Sequence, residues 1–211
     1  MNQMERLFRV RHFAEELNHI RHPDLRFAVS QYLKSRTPDY FWETGASSSG
    51  RYHPEFSQGI GGLVRHTKAV VMFALELLRM EPYNSMDDES KDAVIAACIL
   101  HDTCKYGCED YTKTEYKAHA LNASLNFKDF LYTEFCYPLE EELVNSICKA
   151  ILCHMGHWAE RPEERPSTTI DQCVHEADYI ASRNFIQIPT IVEQYAETAE
   201  NIQKEIEELP F

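Results

Sequence analysis

The stretch AVIAACILHD, residues 93–102, constrains this 211-residue chain more than any other. Its apolar and small side chains cover the whole circumference of a helix rather than one stripe, which marks a buried central helix. That helix ends in His101–Asp102. A charged carboxylate at the buried end of an apolar helix is costly unless it is paired or bound to metal. Imidazole and carboxylate together suit Mn, Fe, Ni, Co or Zn. Adjacent side chains do not face each other on an ideal helix, but both can reach one ion where the helix ends and its geometry relaxes. Alone, the dipeptide also fits a blander arrangement, with Asp102 accepting hydrogen bonds at a helix end and His101 packed in the core.

The flanking sequence reads as more helices. Helical spacing predicts them over 3–20 (Leu7, Val10, Phe13, Ala14 and Leu17 inward) and 24–35 (Leu25, Ala28, Val29 and Leu33 inward). Others are predicted over 62–80, 88–102, 115–135, from Pro138 to about 155, 168–184 and 189–207. In 62–80, Leu63, Val70, Phe73, Ala74 and Leu77 share a face. Asn84, Ser85 and Asp87 offer start signals for the central helix. No convincing strand is found, so the class is all-α, a bundle of about eight helices. One domain over 1–211 is expected. The longest irregular stretch, 37–60, carries Tyr40, Phe41, Trp42, Tyr52 and Phe56 and reads as a wall or lid of a site.

Charge and motifs narrow the function. The net charge of −13 argues against a large nucleic-acid footprint, which would draw on Lys and Arg to release counterions; a small basic pocket is not excluded. The acidic runs at Glu140–Glu142, Glu160–Glu164 and Glu197–Glu208 read as solvated helix faces. Seven cysteines form neither a disulfide framework nor a paired zinc motif, and Cys98, Cys148, Cys153 and Cys173 fall inside apolar helical patterns. The N-terminal MNQMERLFRV lacks a signal-peptide apolar stretch. No run of about 18 apolar residues suggests a membrane span, and a reducing cytoplasm is the expected location. Phosphate-binding loops, dinucleotide fingerprints and nucleophile elbows are missing.

Several spaced motifs occur in one order: GGLVRHT at 61–67, ILHDTCK at 99–105, His119, ILCHMGH at 151–157 and HEADYIASR at 175–183. This pattern resembles the H…HD…H…H…D signature of the HD-domain superfamily of metal-dependent phosphohydrolases. The approach GASSSGRYHPEFSQGIGGLVRHT resembles that in HD domains of bacterial 3′→5′ exoribonucleases and in some phage HD proteins. The resemblance covers about 45–185.

The resemblance implies that His66, His101, Asp102 and Asp178 hold a first divalent metal. It implies His119 and His154 as extra ligands of a second, weaker position, with Asp102 bridging. The family often has two adjacent histidines before a glycine, whereas this chain has His154–Met155–Gly156–His157. Which of the two binds metal and which touches substrate is therefore open. Asp102 and Lys105 are the catalytic candidates, with Lys105 placing its ammonium on a phosphate. His53, Arg65 and His157 are substrate-contact candidates, and Arg183 a weaker one. His175, one turn before Asp178, either orients a ligand from behind or belongs to the core. The expected substrate is a small phosphorylated molecule of nucleotide type. An exonuclease on short single strands and a non-catalytic nucleotide sensor are the alternatives. The 189–207 segment could pack through Val192, Tyr195, Ala199, Ile202 and Ile206 on its own domain or on another subunit, which leaves an oligomer open.

Overall fold

The computed structural model describes residues 9–47, 53–109, 115–135 and 139–184. Among these residues the fold is helical throughout, with no strand. We number the α-helices in chain order: α1 (Ala14–Asn18), α2 (Pro23–Ser35), α3 (Asp39–Glu43), α4 (Gly62–Leu77), α5 (Asp88–Leu100), α6 (His119–Thr133), α7 (Glu141–Cys153) and α8 (Thr169–Ala181). No helix among the described residues is long and apolar enough to cross a membrane.

Helix α5 is the central one. Every residue from Ala93 to Leu100 is buried, enclosed by α4, α7 and α8. Its start is fixed by Asp87, which accepts the Ser90 N–H at 2.7 Å, with Asp88 and Glu89 on the favourable end of the helix dipole. Asp92 is the one buried acid in the body of α5. Its two oxygens accept the backbone N–H groups of Arg21 (2.9 Å) and His22 (2.7 Å), just ahead of α2. A carboxylate inside the bundle thereby sets where the N-terminal helices join it.

The faces expected for α2 and α4 hold: Leu25, Ala28, Val29, Leu33, Leu63, Val70 and Ala74 are buried, and Phe73 and Leu77 pack at the core margin. Tyr32 is buried as well, edge-on to Phe127 and Phe130. In the N-terminal helix Phe13 and Leu17 are buried, but Ala14 is exposed and Glu16 takes an inward place. Lys68 Nζ, 2.5 Å from Glu16 Oε1, supplies the compensating charge. The prediction of a continuous irregular stretch over 37–60 is corrected. Asp39–Glu43 is helical and buries Tyr40, Phe41 and Trp42, while Glu55–Ser57 forms a 3-10 turn. Two other bounds shift: the 115–135 segment begins with a 3-10 turn, Glu115–Ala118, and α7 starts at Glu141. Pro138 and the 189–207 segment lie outside the described residues.

Two contacts carry this frame to the end of α5. The Tyr40 hydroxyl donates to the Gly107 carbonyl at 2.5 Å and accepts the Tyr106 N–H at 2.9 Å. The loop that follows His101–Asp102 is thus tied to α3. At the start of α4 a Cβ on Gly62 would stand 2.2 Å from the Ser57 carbonyl oxygen, so only glycine lets the 53–61 segment lie so close to the helix.

Asp92→Ala leaves two backbone donors inside the bundle and should lower the unfolding free energy by about 3 kcal/mol. Asp88→Ala, which loses an exposed pair with Arg21 and one of two acids in the first turn, should cost about 1 kcal/mol. Urea unfolding of the two variants checks the contrast; equal effects would show that Asp92 does not anchor the N-terminal helices.

Candidate metal centre

Five helices bring an end or a face to Asp102. His66 comes from the first turns of α4, His101 caps the C-terminus of α5, His119 opens α6, His154 caps the C-terminus of α7, and Asp178 lies near the end of α8. His66, His101, Asp102, His119 and His154 are buried. The Asp178 side chain is 18% exposed and marks the open side.

The two oxygens of Asp102 face different partners. Oδ2 lies 3.4 Å from His101 Nε2 and 3.7 Å from His66 Nε2. Oδ1 lies 3.2 Å from His119 Nε2 and 3.7 Å from His154 Nε2. Asp178 Oδ1 stands 3.0 Å from His66 Nε2 and 3.7 Å from His101 Nε2. Two groups of donors, His66–His101–Asp102 and Asp102–His119–His154, are each compact enough to hold a divalent ion, and they share Asp102.

The last carbonyls of a helix have no intrahelical donor, and two of the histidines use them. His101 Nδ1 donates to the Cys98 carbonyl at 2.8 Å, and His154 Nδ1 to the Ile151 carbonyl at 2.7 Å. A carbonyl can only accept, so in the neutral form of both rings Nδ1 carries the proton and Nε2 keeps its lone pair. His101 Nε2 and both ring nitrogens of His66 are buried with no hydrogen-bond partner. Buried polar atoms without partners are expensive in a protein interior; a cation between His66 Nε2 and His101 Nε2 would satisfy those two nitrogens. The donor set fits a divalent metal.

Charge in the cluster is balanced on Asp102. Burial pushes its carboxyl up, but Lys105, His101 and His119 outweigh that and hold it well below the usual carboxylate range. Lys105 Nζ lies 2.8 and 3.1 Å from its two oxygens. Burial also opposes the charge on Asp178, yet His66 and His101 keep it ionised. His154 goes the other way: burial, then His101 and His119, lower it to about 3, so it stays neutral near pH 7.

The remaining candidates are divided. His53 is brought to the cluster, its ring edge-on to His66 at 5.1 Å. Burial, with His66 and Lys105, lowers it to about 4. Arg65 turns away from the cluster. Its guanidinium donates to the carbonyls of Phe56, Ile60 (2.9 Å) and Gln58 (2.8 Å), and so holds the loop before α4. His157 is exposed and lies against Trp158 at 3.6 Å between centroids, apart from the buried histidines. His175 touches the backbone of a cluster residue: its Nδ1 donates to the His154 carbonyl at 2.8 Å. Its ring fills the place where a Cβ on Gly156 would be, 2.1 Å away, and Gly156 has φ +59°. The turn after His154 is therefore open to glycine alone. The sequence reading missed a stack in which Trp158 and Tyr179 lie 5.6 Å apart under Arg183. The spacing of His175, Tyr179 and Arg183 along one helix face was its signal.

The two lowered histidines fix a pH response of the metal-free protein. Each is neutral in the fold and has an ordinary value of 6.5 when unfolded, so its contribution is full above 6.5 and is lost as pH falls from there toward about 4 and about 3. His101, raised in the fold, is protonated in both states below 6.5 and adds no slope there. Between pH 6.5 and 4.5 the unfolding free energy in chelator should therefore drop by up to ~1.4 kcal/mol per pH unit for each of the two. His154→Gln should remove about half of that slope; an unchanged slope would show that His154 is not held neutral.

A family model described as HD domain matches residues 63–183, more than half of the chain and every residue of the Asp102 cluster. Proteins of this family are generally metal-dependent phosphohydrolases. Neither the curated proteins nor the solved structures give a significant match. With its buried histidines, Asp102 and Asp178 gathered inside the matched region, the chain belongs to the HD-domain family.

Proposed function

We propose that the chain is a phosphohydrolase that cleaves the phosphoester of a small, nucleotide-type substrate with metal-activated water. The observation that carries this reading is the two-sided use of Asp102, one oxygen toward His66 and His101 and the other toward His119 and His154. We assign His66, His101, Asp102 and Asp178 to the stronger metal position. His119 and His154, with Asp102 shared, form the weaker one. Such donors suit Mn, Fe, Ni, Co or Zn. A metal bound there supplies a Lewis acid and a water acidified toward neutral pH.

The chain's own groups supply charge and position. Lys105 brings a fixed positive charge to the Asp102 carboxylate while remaining 17% exposed, so it can meet a phosphate oxygen as a point charge. His53, on the segment before α4, stands beside His66 as a second group able to contact substrate. Arg65 serves the site by holding that segment in place. The weaker position has no carboxylate of its own and loses its ion more readily. A net charge of −13 favours a compact substrate over a long nucleic acid. The reading treats residues 1–211 as one HD domain.

Asp102→Ala should abolish both metals and all turnover. His119→Ala and His154→Ala should each leave about one ion per chain. They should cut turnover by more than the roughly 10–100-fold that loss of an outer partner costs. Metal content by mass spectrometry, on protein purified without chelator, checks both. Full activity with unchanged metal in either histidine variant would replace the two-metal reading with a one-metal one. A Mn²⁺ assay over nucleotides and short oligonucleotides tests the substrate class. Turnover of oligonucleotides alone would make the protein an exonuclease, and tight nucleotide binding without turnover a sensor.

A further inference from the structure

The described lysines and arginines are nearly all matched: Arg9 to Asp39, Arg36 to Asp129 and Glu134, Lys68 to Glu16, Arg65 to three carbonyls, Arg183 to two rings. Arg11, Arg26 and Lys34 are not. Apart from Arg165, they are the described cations with no acceptor or ring partner. All three line one groove of about 630 Å³ between the segment 10–18 and helix α2, and among the described residues no Asp or Glu lines it. In a chain with 34 acidic and 21 basic residues, a concave surface whose described lining has three cations and no carboxylate runs against the composition. Three like charges lining one cavity repel each other, and a bound anion would offset that repulsion by attracting all three.

The rest of the groove suits such an anion. Arg26, Ser30 and Lys34 follow each other at one-turn spacing along the same face of α2, so a hydroxyl donor sits between two cations. Arg26 and Lys34 are half-buried, and partial desolvation strengthens their attraction for a negative group. Phe27, 47% exposed, lines the groove beside them and packs its ring on Phe135. The groove shares no residue with the Asp102 cluster.

We propose that this groove is a second ligand site, separate from the metal centre, which binds a small molecule carrying a chain of phosphates. A nucleoside triphosphate and an inorganic polyphosphate share that chemistry. The site stands whether or not the chain hydrolyses phosphoesters.

Calorimetric titration of the full chain in EDTA, with tripolyphosphate and with ATP, tests it. Wild-type protein should bind. The double variant Arg26→Ala/Lys34→Ala should bind at least 10-fold more weakly with an unchanged unfolding midpoint, and Asp102→Asn should bind as wild type does. If the double variant is unstable, Lys34→Glu alone should give the same loss. Tighter binding of ATP than of tripolyphosphate, with the difference removed by Phe27→Ala, identifies the nucleotide as ligand; equal binding identifies the bare phosphate chain. No binding at millimolar concentration would overturn the proposal. So would binding that survives the groove substitutions or disappears in Asp102→Asn.

Discussion

The structure depends on one carboxylate in an unfavourable place. Asp102 lies at the buried end of a helix whose preceding eight residues are all in the core. An unpaired charge there would unfold the bundle or lose its ionisation. The surrounding elements are arranged against both outcomes. Lys105 meets it from the following loop, and imidazoles reach it from α4, α5, α6 and α7. Tyr40 of α3 fixes that loop through Tyr106 and Gly107.

The solution relies on helix ends. Mid-helix, a histidine has no free carbonyl nearby to bind its Nδ1 proton. In the last turn such carbonyls exist, and His101 and His154 each bond the one three residues back. The same bond caps the helix, chooses the tautomer and aims Nε2 at Asp102. Helix termination and the shaping of the candidate metal site are here one interaction, used twice, and Gly156 with His175 locks the second instance from behind. The polar centre therefore needs little irregular backbone inside the core.

Much of this was legible in the sequence, for reasons that differ by residue. The apolar run before His101 could only be a buried helix, and the faces of α2 and α4 followed from their period. His66, His101, Asp102, His119 and His154 were legible as candidates through spaced motifs, because each motif couples a side chain to the helix that carries it. Residues 39–43 were not legible as a helix: five residues are too few for a period, and burial of Tyr40, Phe41 and Trp42 stabilises the turn instead. Ala14, expected inward, is exposed, and Glu16 is buried instead with Lys68, far off in sequence, compensating its charge.

The sequence by itself determined the class of the fold, the identity of the buried central helix and the order of the chemistry-bearing residues, since periodicity and motif spacing are local properties. Tertiary structure alone decided which way the side chains at the helix ends face. His154 turns inward because it ends α7 on the Ile151 carbonyl, and His157 turns outward because Gly156, at positive φ, reverses the chain against His175. Arg65, one residue from His66, points at loop carbonyls because those acceptors lie there unsatisfied. Direction at a helix end depends on what packs across from it, and that partner is distant in sequence.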